Sequence, residues 1–500
     1  MSRATIIATA AIVVAATSGC DRMLVPTAQR DLPRVQIDAL AGVQLEALSS
    51  ISFTIREDLG TLGGTISGAS DINNLNQVTG YSFTSGDACC RAFLWTPADG
   101  MIDINAGGAT MALYGNALND AGQIAAQGLA PSTIGAAAVR GSPPYPSAPL
   151  DLGKLGGFDA FGYGINSAGD VVGSSENPAA HPFRWVAPGP MQDLGTLGGG
   201  YGYASAINDA GTVAGASSQA GGSLRAFRWT ANGGMVNLGT LGGTESAGAG
   251  INSAGDIVGW AKTAQGAQHA ARWPAGGGGP LDLGTFLGGA SSSAVAINTN
   301  GFIAGSSANA IGNTLGVRWS STGGMKQLNP IPGGSNSAAN GINDGGHTAG
   351  YSDVSGGGQH AVVWWYYYRP IDIFICDCRL VASPYKGTMG ILVPGGRAFD
   401  IASVEPRLFM LGDGRGEDVP LFLQDRRGGD AAVIRQDSRP LYEVKDVNGD
   451  GYTDMVLYFD HAELMKQGEL TANTNHLTLT GALRDRSKGV YGGIVLSRIE

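Results

Sequence analysis

The sequence predicts an all-β protein, a seven-bladed β-propeller followed by a small β-rich carboxy-terminal domain. Three observations predict it. A unit of about 45 residues recurs seven times, each unit holds four short runs of strand character, and the charge content changes near Pro370.

The repeat emerges when the glycines are aligned. Asp58-Leu59-Gly60-Thr61-Leu62-Gly63-Gly64 returns as Asp151-Leu152-Gly153-Lys154-Leu155-Gly156-Gly157, as Asp193-Leu194-Gly195-Thr196-Leu197-Gly198-Gly199 and as Asn237-Leu238-Gly239-Thr240-Leu241-Gly242-Gly243. Looser copies begin at Asp103, Asp282 and Gln327, so the steps are 45, 48, 42, 44, 45 and 45 residues. A period of this size belongs to propeller blades or to helical arrays.

The interior of each unit decides for blades. About a dozen residues after the first motif stands an apolar residue followed by asparagine: Ile72-Asn73, Leu118-Asn119, Ile165-Asn166, Ile207-Asn208, Ile251-Asn252, Ile297-Asn298 and Ile342-Asn343. A Gly-containing turn follows, then a β-branched run such as Thr212-Val213-Ala214-Gly215. Asn can hydrogen-bond the turn backbone and Gly can take positive φ, which makes this a hairpin signal. Next come an aromatic strand ending in tryptophan, as in Arg225-Ala226-Phe227-Arg228-Trp229, and a fourth run such as Met235-Val236-Asn237-Leu238. No stretch sustains a 3.6-residue period, and four short strands per unit make a propeller blade.

The phase of the ends predicts closure. The seventh unit stops at Val362-Val363-Trp364 without a fourth strand, while a spare strand, Ile51 to Ile55, precedes the first unit. Sharing one blade between the two ends supplies the missing strand and removes the exposed edges. An open solenoid of hairpins is the alternative architecture.

On these residues the units resemble the extracellular HAF repeats, named for a His-Ala-Phe signature before tryptophan. The signature varies here: Arg91-Ala92-Phe93-Leu94-Trp95, His181-Pro182-Phe183-Arg184-Trp185, His269-Ala270-Ala271-Arg272-Trp273 and His360-Ala361-Val362-Val363-Trp364. The second unit departs most, with Ala138-Val139-Arg140 and no tryptophan. The resemblance covers roughly residues 50 to 365 and implies an exported location and a repeat architecture, with no general catalytic activity attached.

The amino terminus sets the compartment. Arg3 is followed by an apolar run, Ala4 to Ala16, too short to span a bilayer, as in a signal peptide. Thr17-Ser18-Gly19-Cys20 then resembles a bacterial lipobox, which implies that Cys20 becomes the first mature residue and carries acyl chains. Several chains together anchor a protein stably where one does not. An ordinary secretory signal with an incidental cysteine is the competing reading. The expected organisation is a lipoprotein signal peptide over 1–19, a linker over 20–47, the propeller over 48–366 and the carboxy-terminal β domain over 367–500.

Residues 1 to 369 hold 38 charged side chains, about a tenth, and residues 370 to 500 hold 34, about a quarter. The net charge of −10, with no Lys/Arg cluster, offers no footprint for nucleic acid. Besides Cys20 the chain has Cys89-Cys90 and Cys376-Asp377-Cys378, which in an oxidising compartment allow three disulfide connectivities. Their spacings are not those of a zinc knuckle.

Beyond Pro370 the run Ile371-Asp372-Ile373-Phe374-Ile375 alternates with period two and opens the second β domain. Its chemical signal is Asp446-Val447-Asn448-Gly449-Asp450-Gly451-Tyr452-Thr453-Asp454. Asp446, Asn448, Asp450 and Asp454 place oxygen side chains at positions 1, 3, 5 and 9 of a calcium-type loop, with Gly451 at 6 for the sharp turn and the Tyr452 carbonyl at 7. Position 12 is Leu457 and the flanks are strand-like, so the expectation is a calcium loop joining strands, with a metal-free Asp/Asn/Gly turn as the alternative. The segment from Lys386 to Ile499 also resembles a module that ends many secreted bacterial proteins, through Lys386-Gly387, the same loop, Leu457, Phe459 and Leu479-Thr480-Gly481.

No H-E-x-x-H, G-x-S-x-G or Walker loop occurs. His181, His269 and His360 share one repeat position, as do Asp58, Asp151, Asp193 and Asp282, which reads as structure. The expected function is therefore that of an exported, lipid-anchored, non-enzymatic module at the cell envelope. It would bind a protein or glycan ligand, reach the membrane through its lipid, and hold calcium structurally. A polysaccharide-active glycosidase or lyase working in the propeller channel is the alternative.

Overall fold

A computed structural model describes residues 52–368, apart from 88–89, 106–109, 131–134, 287 and 322–323, together with short strands beyond residue 372. The protein is an all-β propeller. Its repeated sheet is seen in Gly198–Ile207, Val213–Gln219, Leu224–Thr230 and Gly234–Asn237, antiparallel neighbours in chain order.

The first strands of the seven repeat units are Gly63–Ile72, Met111–Leu118, Ala160–Ile165, Gly198–Ile207, Gly242–Ile251, Ser292–Ile297 and Ser337–Ile342. They lie innermost: each neighbours the next, and the last neighbours the first. Five of the propeller's sheets are separate and four-stranded. The expectation of a separate sheet for every unit is modified at the chain ends, where one eight-stranded sheet joins the first and last units. The reason is local. Gly358 takes φ +119° and comes so close to the Thr65 carbonyl that an added Cβ would lie 2.8 Å from it, and beside this contact Ile66 pairs with Gln359. The leading strand runs Ser52–Asp58, longer than the expected Ile51 to Ile55, and pairs with Gln359–Tyr368, the strand that contains Trp364.

Turn chemistry follows the Asn signal. In the fourth unit Asn208 Oδ1 accepts the Thr212 N–H at 3.0 Å, and Gly211 takes φ +76°. In the first unit Asn76 holds that left-handed position at φ 61°, as asparagine can. Each inner strand carries a register shift three residues before its asparagine, for example between Ala204 and Ala206. The shift presses a carbonyl on the second strand, so an added Cβ on Gly215 would lie 2.1 Å from the Tyr203 oxygen and one on Gly259 2.0 Å from the Ala247 oxygen. This explains the Val-Ala-Gly and Ile-Val-Gly runs of the repeat.

The core sits between adjacent sheets. Val172 of one sheet packs against Leu194, Ile207, Val213, Phe227 and Trp229, and Ala125 and Ala138 pack against Phe183 and Trp185. Truncating such a buried aromatic to alanine costs about 3–5 kcal/mol. The second unit, which lacks tryptophan, has Ala137–Gly141 as its third strand. Tyr145 substitutes for the ring: its hydroxyl lies 2.9 Å from where a Gly141 Cβ would stand and donates to the Gly122 carbonyl at 3.0 Å.

Beyond residue 372 the described strands form two sheets. One orders Ile373–Phe374, Gly489–Val495, His476–Ala482, Met410–Gly412 and Val419–Pro420; the other orders Arg379–Val381, Thr388–Val393, Asp454–Asp460 and Tyr442–Lys445.

Candidate binding site on the inner strands

Most charged pairs of the repeat hold sheets together. His181 Nδ1 donates to Asp193 at 2.9 Å, His269 to Asp282 at 2.9 Å and His360 to Asp58 at 2.9 Å. The same aspartates accept the N–H two residues on, as Asp193 does from Gly195 at 2.8 Å and Asp58 from Gly60 at 2.9 Å. Burial opposes ionisation of Asp193, but the Gly195 N–H and the His181 imidazole outweigh it and lower its pKa. The signature histidine and the Asp-Leu-Gly aspartate are thus one cross-strand device. Because Asp58 meets His360, the leading strand takes the place that the outer strand holds elsewhere.

At one end of the inner strands the seven asparagines form a closed cycle. Each Nδ2 donates to the backbone oxygen of the next: Asn73 to Asn119 at 3.0 Å, Asn119 to Asn166 at 3.0 Å, Asn166 to Asn208 at 3.5 Å, Asn208 to Asn252 at 3.1 Å, Asn252 to Asn298 at 3.4 Å, Asn298 to Asn343 at 2.8 Å, and Asn343 back to Asn73 at 3.1 Å. All seven are buried.

Farther along the strands the units differ. Five residues before its asparagine each inner strand places a side chain beside a partner on the second strand. The first strand pairs Gly68 with Tyr81, the fifth Ala247 with Trp260 and the seventh Ala338 with Tyr351. The second pairs Tyr114 with Gln127, the third Phe161 with Ser174 and the fourth Tyr203 with Ala216. Each of these six pairs carries one aromatic ring, on one strand or the other, whereas the sixth unit pairs Ser293 with Ser306. Tyr81 lies against Gly68, where an added Cβ would be 2.9 Å from its ring, and 5.3 Å from Tyr114. Phe161 stacks on Tyr163 at 6.2 Å, Tyr163 meets Tyr203 edge-on at 6.4 Å, and Tyr203 meets Tyr201 at 6.1 Å. Tyr201 is 47% exposed and Phe158 68% exposed, whereas Tyr163 and Tyr203 are half-buried. Burial pushes the Tyr203 phenol up to about 12 and raises that of Tyr163, so both are neutral donors.

Two groups depart from repeat logic. Asp71 stands where the other inner strands have Ala117, Gly164, Ala206, Gly250, Ala296 and Gly341. Its Oδ1 accepts the Ile72 N–H at 2.8 Å and its Oδ2 the Leu118 N–H of the next unit at 2.9 Å, and burial raises its pKa to about 7. His347 is buried with Nδ1 accepting the Tyr366 N–H at 3.0 Å; burial, and then Arg318, lower its pKa to about 4. It is a neutral acceptor.

Of the expected site residues, Cys20, Asp446, Asn448, Asp450 and Tyr452 lie outside the described residues, as do Cys89, Cys376 and Cys378. Asp454 begins the strand Asp454–Asp460, which pairs with Tyr442–Lys445 so that Lys445 faces Asp454 and residues 446–453 join the two. Among the described residues no group of three or more His, Cys, Asp or Glu side chains is placed to hold a metal ion. The aromatic inner wall, Asp71 and Tyr145 were not singled out from the sequence, although the exchange of aromatic and small residues between first and second strands was visible once register was known.

No family model matches the sequence, and no curated protein matches it. Solved structures similar to it are propellers of low identity. TolB from Acinetobacter baumannii matches at 10% identity and a TM-score of 0.33, over 42% of this chain and 52% of that one, so the chain spans about half of TolB's length. Virginiamycin B lyase from Staphylococcus aureus matches at 13% and 0.39, over 62% and 99%. The lectin of Aleuria aurantia matches at 13% and 0.32, over 54% and 96%.

Proposed function

We propose that this chain is an exported, lipid-anchored binding module at the cell envelope: a seven-bladed propeller of HAF type, carried on an acylated Cys20 and followed by a calcium-stabilised β domain. The eight-stranded sheet counts as two blades that share an edge contact, with Ser52–Asp58 as the outer strand of the last. The observation that carries binding is the uneven inner wall. The histidines and aspartates of the repeat are used in pairing strands, and the asparagines in joining units, while the aromatic faces of Tyr81, Tyr114, Phe161, Tyr163 and Tyr203 remain partly accessible. Partly exposed aromatic surface with neutral polar tips is what a ligand-holding wall requires. Asp446, Asn448, Asp450, Asp454 and the Tyr452 carbonyl would supply the calcium oxygens, and the ion would support the pairing of Tyr442–Lys445 with Asp454–Asp460.

Probing the full chain, purified in detergent, against a glycan array and by crosslinking to isolated envelopes tests the reading. A ligand whose capture is lost on Phe161→Ala supports it; capture of nothing by either route refutes it. A second reading, a polysaccharide-active enzyme, is favoured by Asp71, the single carboxylate at its inner-strand position, with a pKa near neutrality as a general acid needs. Release of reducing ends from a polysaccharide panel, abolished by Asp71→Asn, would establish that reading instead.

A further inference from the structure

We infer that the inner wall takes a neutral oligosaccharide, laid against the ladder Phe161–Tyr163–Tyr203–Tyr201 and entering past the exposed rings of Tyr201 and Phe158; this rests on the binding-module reading. The ladder is continuous, with successive ring centroids 6.2, 6.4 and 6.1 Å apart, and it runs from half-buried rings to one 47% exposed. A pyranose ring presents an apolar C–H face to such a platform, and its hydroxyls need uncharged donors and acceptors at the edge. The residues three before the asparagines supply them. Asn116 Nδ2 donates to the Gly162 carbonyl at 2.7 Å, Asn340 Nδ2 to Ala69 at 2.9 Å and the Ser205 hydroxyl to Gly248 at 2.9 Å. Each of the three keeps an acceptor oxygen. Tyr163 and Tyr203 stay protonated because burial raises both phenols.

Charge argues against an ionic ligand. The inner strands carry only two charged residues, Asp71 and Glu245. Both oxygens of Asp71 accept backbone N–H groups, and Glu245 pairs with Lys262 at 2.6 Å. Both are acidic and give phosphate or carboxylate no counter-charge, and their engaged oxygens leave little for a cation. The sixth unit, with Ser293 facing Ser306, leaves a break in the aromatic series between Trp260 and Tyr351. A chain longer than the wall is expected to pass there.

The test is a calorimetric titration of the full chain in detergent with cellohexaose, chitohexaose and maltohexaose, in wild type, Tyr201→Ala and Tyr201→Phe. Tyr201 is exposed enough for both variants to fold, which an unchanged melting temperature checks. The expected result is binding of at least one hexasaccharide, weakened about tenfold or more by Tyr201→Ala and by no more than about threefold by Tyr201→Phe, since the ring face and not the hydroxyl makes the contact. No heat with any of the three, or equal affinity in wild type and Tyr201→Ala, overturns the inference. If no hexasaccharide binds while wild type still crosslinks an envelope partner through the Phe161 side of the wall, this inference fails and the binding-module reading stands. If a bound hexasaccharide is cleaved on incubation, the saccharide site stands and the non-enzymatic reading fails.

Discussion

The asparagine cycle makes ring closure measurable at one side chain. Asn343→Ala removes two donations, to the Asn73 carbonyl at 3.1 Å and to Asn76 Oδ1 at 3.0 Å, both across the junction between the two ends of the propeller. It also removes the acceptor of the His347 N–H at 3.0 Å, a purely local bond. With a net of about 1 kcal/mol per bond, and a further 1–3 for a buried group left without its partner, the variant should lose about 4 kcal/mol. If the ends did not meet, only the local bond would be lost, about 1–1.5 kcal/mol. At about 2.1 cal/mol/K per residue, a unit of roughly 310 residues has an unfolding entropy near 0.65 kcal/mol/K, so the two cases correspond to falls in Tm of about 6 °C and about 2 °C. Asn208→Ala, which breaks the Asn252 contact at 3.1 Å and the Thr212 bond at 3.0 Å inside the array, gives the reference for a junction whose continuity is covalent. Scanning calorimetry on both variants decides. A fall for Asn343→Ala far smaller than for Asn208→Ala refutes closure through these residues.

Cys20→Ala should move the exported protein from the membrane fraction to the soluble fraction, and retention in the membrane after a high-salt wash counts against the lipid anchor. Asp450→Ala should abolish the calcium-dependent rise in stability of the strands around Asp454–Asp460, worth about 2.7 kcal/mol at a hundredfold excess over Kd, while leaving the propeller transition in place; a chelator without effect on the wild type refutes the metal. Two groups give opposing pH slopes. Asp71, raised to about 7 by burial, binds a proton in the folded chain that the unfolded chain releases near 4, so its contribution falls as pH rises from about 4 to 7. His347, lowered to about 4, must give up its proton on folding, so its contribution is lost as pH falls from about 6.5 to 4. Relative to wild type, melting temperature should rise more steeply with pH in Asp71→Asn and less steeply in His347→Gln; parallel profiles in all three refute the assignment.

What could be read from the sequence was what the chain writes locally. The Asn-x-x-Gly turns, the spare strand before Asp58 and the missing strand after Trp364 are contiguous strings, and their structural consequences follow from short-range geometry. The pairing of His181 with Asp193 is a different kind of fact. Both residues were visible as repeat positions, but the bond depends on the register that sets Phe183 opposite Asp193, which no string states. Tyr145 filling the place left by Gly141 is a compensation between turns of the second unit, and the motif search saw only the missing tryptophan. The loop over Asp446 to Asp454 was legible as chemistry, and its described flanks supply only the strand pairing on either side.

The same distinction locates where function can reside. A bond repeated at every junction, such as the asparagine relay, cannot be altered in one unit without weakening the ring, and asparagine stands at all seven positions. The pairs five residues upstream are freer, because a ring on the first strand and a ring on the second fill the wall equally well: Phe161 faces Ser174 in one unit, and Tyr81 faces Gly68 in another. That exchange preserves packing while letting the surface differ from one side of the axis to the other. The sixth unit, where Ser293 faces Ser306, gives up the packing itself. Two hydroxyls in place of a ring forgo apolar contact worth on the order of 1–2 kcal/mol, a loss that a purely architectural strand pair has no reason to accept. The departure falls on the inner wall next to the aromatic series, where a ligand would gain from it, which is why a substitution there, such as Ser306→Tyr, should raise the melting temperature and lower ligand affinity together.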